Sequence, residues 1–195
     1  MLKLFKNFTS QRGAMFGLDA RIALAIFGTL TVAAGYMGVS KIETARDAAL
    51  YKEILAIEDA MEQMQTDLGV FYRFAIQTSD FVNDINALND KSLLKTKYQS
   101  RWNGPYLEGF DRNNARFGTY DVRYRGGCTI SNSCTVMIRL TNVARKTWDR
   151  FNRMVDENNG TAPEGDPTNQ GRVQGNGGTD PINLFYYTRI TRQAG

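Results

Sequence analysis

The chain contains no histidine. That removes the side chain that titrates nearest neutral pH and the commonest metal ligand, so hydrolytic triads and zinc centres lack their usual parts. Cysteine is nearly absent: Cys128 and Cys134 are the only two. Such a pair, with no imidazole or further sulfur nearby, makes a poor metal site and suits a small disulfide loop. Closing that loop is worth about 2–3 kcal/mol and implies an oxidising compartment. Two reduced core cysteines are the other reading of the same spacing. Proline is missing before Pro105, so no residue of that kind interrupts a helix in the first half. Charge is missing from residues 22–40, nineteen positions in a row.

What is present takes its meaning from these gaps. As a helix, the charge-free run spans about 28 Å, close to the hydrocarbon thickness of a bilayer. Lys3, Lys6 and Arg12 precede it with no acid among them, which keeps the N-terminus cytoplasmic and sends the rest outward. The net charge of +4 is therefore largely a property of the N-terminal tip. Residues 15–99 are net acidic and residues 100–195 net basic.

Beyond the apolar run, Leu50, Ile54, Ile57, Met61, Met64, Leu68 and Phe71 follow a 4-3-4-3-4-3 spacing, one apolar helical stripe. Glu53, Glu58, Asp59, Glu62 and Asp67 lie off it. The pattern predicts one helix from about residue 15 to about residue 76, roughly 90 Å long. RWNGPYLEGF reads as a loop. GTYDVRYRGG alternates Tyr120, Val122 and Tyr124 against Asp121, Arg123 and Arg125, and CTVMIRL repeats the pattern with Val136, Ile138 and Leu140. These are two strands of a hairpin that a Cys128–Cys134 disulfide would clamp near its turn. Thr141 or Asn142 is placed to cap a following helix, with Val143, Trp148, Phe151 and Val155 mainly on one face. Residues 160–181 read as a long surface loop, and LFYYTRI, residues 184–190, as a last strand. The expected class is α+β: a long N-terminal helix, half membrane-spanning and half amphipathic, packed on a small antiparallel sheet head. The expected divisions are 1–14, 15–40, 41–90 and 91–195.

Residues 15–28, MFGLDARIALAIFG, with the basic tip before them and this layout after them, resemble type IV pilins and the pseudopilins of type II secretion. In that family a prepilin peptidase removes a short basic leader, the new N-terminus is methylated, and an acid stands at the fifth mature position. Cutting between Ala14 and Met15 makes Asp19 the fifth mature residue and Gly28 the fourteenth; cutting between Gly13 and Ala14 is the alternative. The sequence has Asp where the family favours glutamate, and Ala14 where it favours glycine. The head is similar to the type IVb group, and GPYL matches a segment of the major pseudopilins. The resemblance implies a leader at 1–14, methylation at Met15, and pairing of Asp19 with the N-terminal amine of a neighbouring subunit. It implies a bacterial inner-membrane precursor that becomes a periplasmic or cell-surface filament. The partners implied are copies of itself, other pilins, the prepilin peptidase and pilus or secretion machinery. Gly28, Gly35 and Gly38 then let neighbouring helices approach or the segment stretch, unless they are ordinary small residues of a membrane helix; Arg21 pairs with Asp19 in its own chain or, the favoured reading, snorkels to headgroups.

Other readings stay open. One is a secreted protein cut after Ala34; another is a signal-anchored periplasmic binding or sensor domain. Asp156, Glu157, Glu164, Asp166 and Asp180 are candidate Ca²⁺ ligands, though their spacing fits no EF-hand, and solvated acids are the plainer reading. Arg123, Arg125, Arg139, Arg145, Arg150 and Arg153, interleaved with Tyr124, Trp148 and Phe151, are a candidate nucleic-acid face. A solvated rim, or contacts from this basic region to the acidic helix of a neighbouring subunit, are the favoured alternatives. No constellation supports catalysis, and no cofactor is implied.

Overall fold

A computed structural model of the chain describes residues 12–77, 81–114, 116–126, 128, 131–156, 171–175 and 180–193. The chain divides into two compact units, Met1–Arg46 and Asp47–Gly195. Residues from 47 onward share one core with the sheet. Helix α1, Arg12–Leu68, contributes residues to both units.

α1 stops earlier than its apolar spacing suggests, and the reason is local. Gly69 adopts φ +64°, the left-handed conformation that ends helices and that a side chain resists. Its N–H returns to Gln65 O at 3.0 Å. Arg101 Nη1 donates to Leu68 O at 3.2 Å, satisfying a carbonyl that the helix leaves without a partner. Phe71 therefore leaves the stripe and is only partly buried against the core. Short helices follow, α2 at Tyr72–Ala75 and α3 at Phe81–Asn86. A 3-10 turn at Lys91–Leu93 and α4 at Thr96–Gln99 complete the segment.

The sheet has five strands: β1 Asn113–Asn114, β2 Gly118–Arg125, β3 Cys134–Val143, β4 Val173–Gly175 and β5 Ile182–Arg192. Their spatial order is β1-β2-β3-β5-β4, all antiparallel. The register opposes Tyr120 to Leu140, Val122 to Ile138 and Tyr124 to Val136, so the alternation read from the sequence places one side of each strand on a common face. That face meets Leu50, Ile54, Ile57, Met61, Met64 and Leu68 of α1, each fully buried. At about 1.5–3 kcal/mol per large apolar side chain, this stripe is a principal attachment of helix to sheet. Cys128 and Cys134 are disulfide-bonded, Cα to Cα 4.9 Å, at the neck of the β2–β3 hairpin. A Cβ on Gly126 would stand 2.3 Å from Ser133 O, so the neck closes only around glycine.

Helix α5, Arg145–Asp156, buries Trp148, Phe151 and Asn152. Neither Thr141 nor Asn142 caps it, because β3 runs through both to Val143. The cap comes from the far side of the chain: Arg145 N–H donates to Asp180 Oδ1 at 2.9 Å. Within the stretch expected to be loop, Val173–Gly175 pair with β5 as the edge strand β4.

Candidate membrane and assembly segment

Backbone geometry makes residues 12–46 one continuous helix, and side-chain chemistry decides which solvent can receive them. Every described side chain from Asp19 to Val39 is exposed within this chain, among them Leu24 (73 %), Phe27 (74 %), Val32 (74 %) and Tyr36 (80 %). This helix is long and apolar enough to cross a membrane. Its two central hydroxyls are satisfied internally. Thr29 Oγ1 donates to Ile26 O at 2.9 Å and Thr31 Oγ1 to Phe27 O at 2.8 Å, so neither brings an unmet donor into an apolar medium. A Cβ built on Gly28, Gly35 or Gly38 would meet nothing within 4 Å. The fold of this chain does not demand glycine at any of the three.

The residues singled out for processing and assembly fall on the same helix. Gly13, Ala14 and Met15 have helical backbone; their side chains, and most of the stretch 1–14, lie outside the described residues. Asp19 and Arg21 are both exposed and make no ion pair with each other. Residues two apart project from different sides of a helix.

The second set of charges on α1 is spent inside the head. Asp47, buried, accepts from Arg150 Nε at 2.7 Å and Nη2 at 3.3 Å. Glu53 takes the Tyr120 hydroxyl at 2.8 Å and Asn114 Nδ2 at 2.9 Å, and Asp67 takes the Tyr106 hydroxyl at 2.8 Å. Glu58, which lies off the apolar stripe, is fully buried all the same. It accepts from Arg172 Nη2 at 3.3 Å, Arg189 Nε at 3.2 Å, the Tyr186 hydroxyl at 3.3 Å and the backbone N–H of Arg189. Such convergence offsets the cost of burying a carboxylate. Burial, followed by the charge of Glu58, pushes the Tyr186 hydroxyl well above its ordinary value. Burial and Glu53 do the same to Tyr120. The signal for Glu58 in the sequence was its place beside Ile57, inside the wide apolar arc that a helix buries on a sheet.

The arginines of the candidate nucleic-acid face are divided among different tasks. Arg139 forks onto Asp121, Nε to Oδ1 at 2.9 Å, and Arg123 Nε joins the same carboxylate at 3.2 Å. Arg125 lies over the Tyr187 ring, 5.5 Å from its centroid. Arg150 belongs to Asp47. At Arg150 the basic head pairs with the acidic helix within one chain. Of the candidate Ca²⁺ ligands, Asp180 caps α5 and Asp156 accepts the N–H groups of Arg172 and Val173 at 2.8 and 2.9 Å. Glu157, Glu164 and Asp166 lie outside the described residues. Among the described residues, no three His, Cys, Asp or Glu side chains are grouped to hold a metal ion. Compared with family models, with curated proteins and with solved structures, the chain finds no match.

Proposed function

We propose that the chain is a structural subunit of a filament of the type IV pilin class, stored in the bacterial inner membrane and polymerised through the first half of α1. One observation carries the reading. A single helix bears an apolar surface exposed from Ile22 to Ile42 and, from Leu50, a stripe buried by its own head. A helix with large apolar side chains on all sides must be covered by lipid or by other copies of itself, and a subunit that uses both in turn is a membrane pool before it is a polymer. In this reading a prepilin peptidase cuts before Met15 and methylates it. Asp19 then meets the new α-ammonium of a neighbouring chain. A carboxylate left alone in an apolar core costs several kcal/mol, by order of magnitude, so the pair selects the register in which subunits add.

Intact mass and N-terminal sequencing of material sheared from cells tests the reading: the expected N-terminus is methylated Met15 in pelleting fibres. An uncleaved chain that stays with the membrane points instead to a signal-anchored domain, and an N-terminus at Gly35 to a secreted one. Asp19→Asn is expected to insert normally yet vanish from the sheared fraction. Wild-type amounts of fibre containing that variant would refute the role given to Asp19.

A further inference from the structure

Within the head, a solvent-open pocket of about 260 Å³ is lined by Arg73, Phe74, Ile76, Gln77, Lys95 and Cys128. Its frame is backbone rather than side chain. Ile76 and Leu94 form an isolated antiparallel bridge, Gln77 N–H donates to Leu93 O at 2.9 Å, and Lys95 N–H donates to Ala75 O at 2.8 Å. Among the described residues that line it, two are cations and none is an anion.

Each cation is placed by a specific contact. Arg73 sits 3.8 Å from the buried carboxylate of Asp84 and over the Tyr124 ring at 5.3 Å, which fixes the guanidinium while Asp84 itself stays out of the lining. A third cation, Arg192, lies over the Phe74 ring at 5.0 Å and donates to Asn132 O. Lys95 Nζ donates to Phe74 O at 2.8 Å, and no described carboxylate pairs with it. An ammonium has three donors, so two remain for something that enters.

We propose that this pocket binds a compact oxyanion, carboxylate or phosphoryl, carried on a body the size of one sugar ring. The charge of the lining sets the oxyanion, with Lys95 and Arg73 as its partners. The volume sets the body: pockets that hold drug-sized molecules run from about 300 to 1,000 Å³, and this one is smaller. Phe74, partly exposed, offers an apolar wall to the C–H face of a sugar, and the exposed Gln77 amide offers one acceptor and two donors to its hydroxyls. The site is independent of the filament reading, since no lining residue belongs to the apolar half of α1.

The test is calorimetric titration of the full-length chain in detergent with D-glucuronate, glucose 6-phosphate, inorganic phosphate and glucose at constant ionic strength. Saturable one-to-one binding of either acidic sugar, with none of glucose, is the expected result. The tighter of the two acids identifies the oxyanion. Lys95→Gln is expected to weaken binding about tenfold or more by removing a charged donor, and Lys95→Arg to retain it. Because Lys95 is exposed, its variants are expected to melt as the wild type does, which keeps loss of binding apart from loss of fold. No saturable binding of either acid, equal binding of glucose, or indifference to Lys95→Gln overturns the proposal. Inorganic phosphate binding as tightly as glucose 6-phosphate overturns the part assigned to the apolar wall.

Discussion

Leu24 and Leu50 are the same residue on the same helix, and they live in opposite circumstances. Leu24 is 73 % exposed within its chain, and Leu50 is fully buried. The same holds for Ile26 against Ile54, at 55 % and 0 %. Neither backbone geometry nor intrinsic propensity separates the two halves of α1. What separates them is whether the chain supplies a partner surface. From Asp47 onward it supplies a sheet, a second helix and matched arginines; before Arg46 the apolar surface waits for a medium or another molecule. Amphipathicity read along one sequence marks the first case well. The second case is marked by the loss of a polar face altogether.

The sharpest way to break the comparison is to strip the buried half of its charge compensation. In an Arg172→Ala/Arg189→Ala double variant, Glu58 stays buried with no cation beside it. Stranding a buried charge costs about 3–5 kcal/mol, to be read as a lowered urea midpoint of the head. Adding Glu58→Gln to that background is expected to recover most of the loss, since the amide keeps its acceptor and drops the charge. If the double variant unfolds like the wild type, the network is decorative.

A smaller effect separates the halves directly. Ile54→Ala is expected to cost about 2–5 kcal/mol by opening a cavity in a packed core. Leu24→Ala, which removes a similar volume from an exposed surface, is expected to leave the same midpoint unchanged while weakening retention in membranes. Equal costs at the two positions would mean that the first half is covered by the head after all.

The smallest and most gradual effect comes from pH. Burial raises the hydroxyls of Tyr72, Tyr120, Tyr124 and Tyr186 above the ordinary value of 10.0. Each therefore holds its proton more firmly folded than unfolded. The stabilisation is complete below about pH 10 and is lost as pH rises above it. Thermal melting of the head is expected to hold up to that point and then fall, with the tyrosinate absorbance of these four appearing together with unfolding. Tyrosinate absorbance from all nine tyrosines, with the head still folded, would place these hydroxyls in water.

Much of this layout could be read without coordinates, and the parts that could were local. The stripe from Leu50 to Leu68 follows from spacing alone, as do the alternation of Tyr120, Val122 and Tyr124 and the cysteine pair at the hairpin neck. Gly69 was legible too, in the string TDLGVFY, as the one helix-ending residue there; the apolar period carried on past it and masked the stop. Other features were settled by residues far away in the chain. Glu58 is met by Arg172, 114 positions on, and no pattern around Glu58 announces that partner. The cap of α5 is Asp180, 35 positions beyond the residue it holds, which is why the nearer Thr141 and Asn142 looked sufficient. β4 is three residues long, too short for alternation to show. The apolar half of α1 was the most legible segment of all, because its fate depends on composition rather than on a partner within the chain.

The distance from Glu58 to its last partner has a consequence in time. Arg189 lies 131 residues further along the chain, and synthesis at about 5–20 residues per second separates the two by roughly ten seconds. During that interval the acidic half of α1 has neither its arginines nor its sheet. Residues 22–40, by contrast, are complete early and need nothing from downstream. The order of emergence thus hands the apolar segment to its surroundings first and closes the head last, around a helix whose other end is already committed.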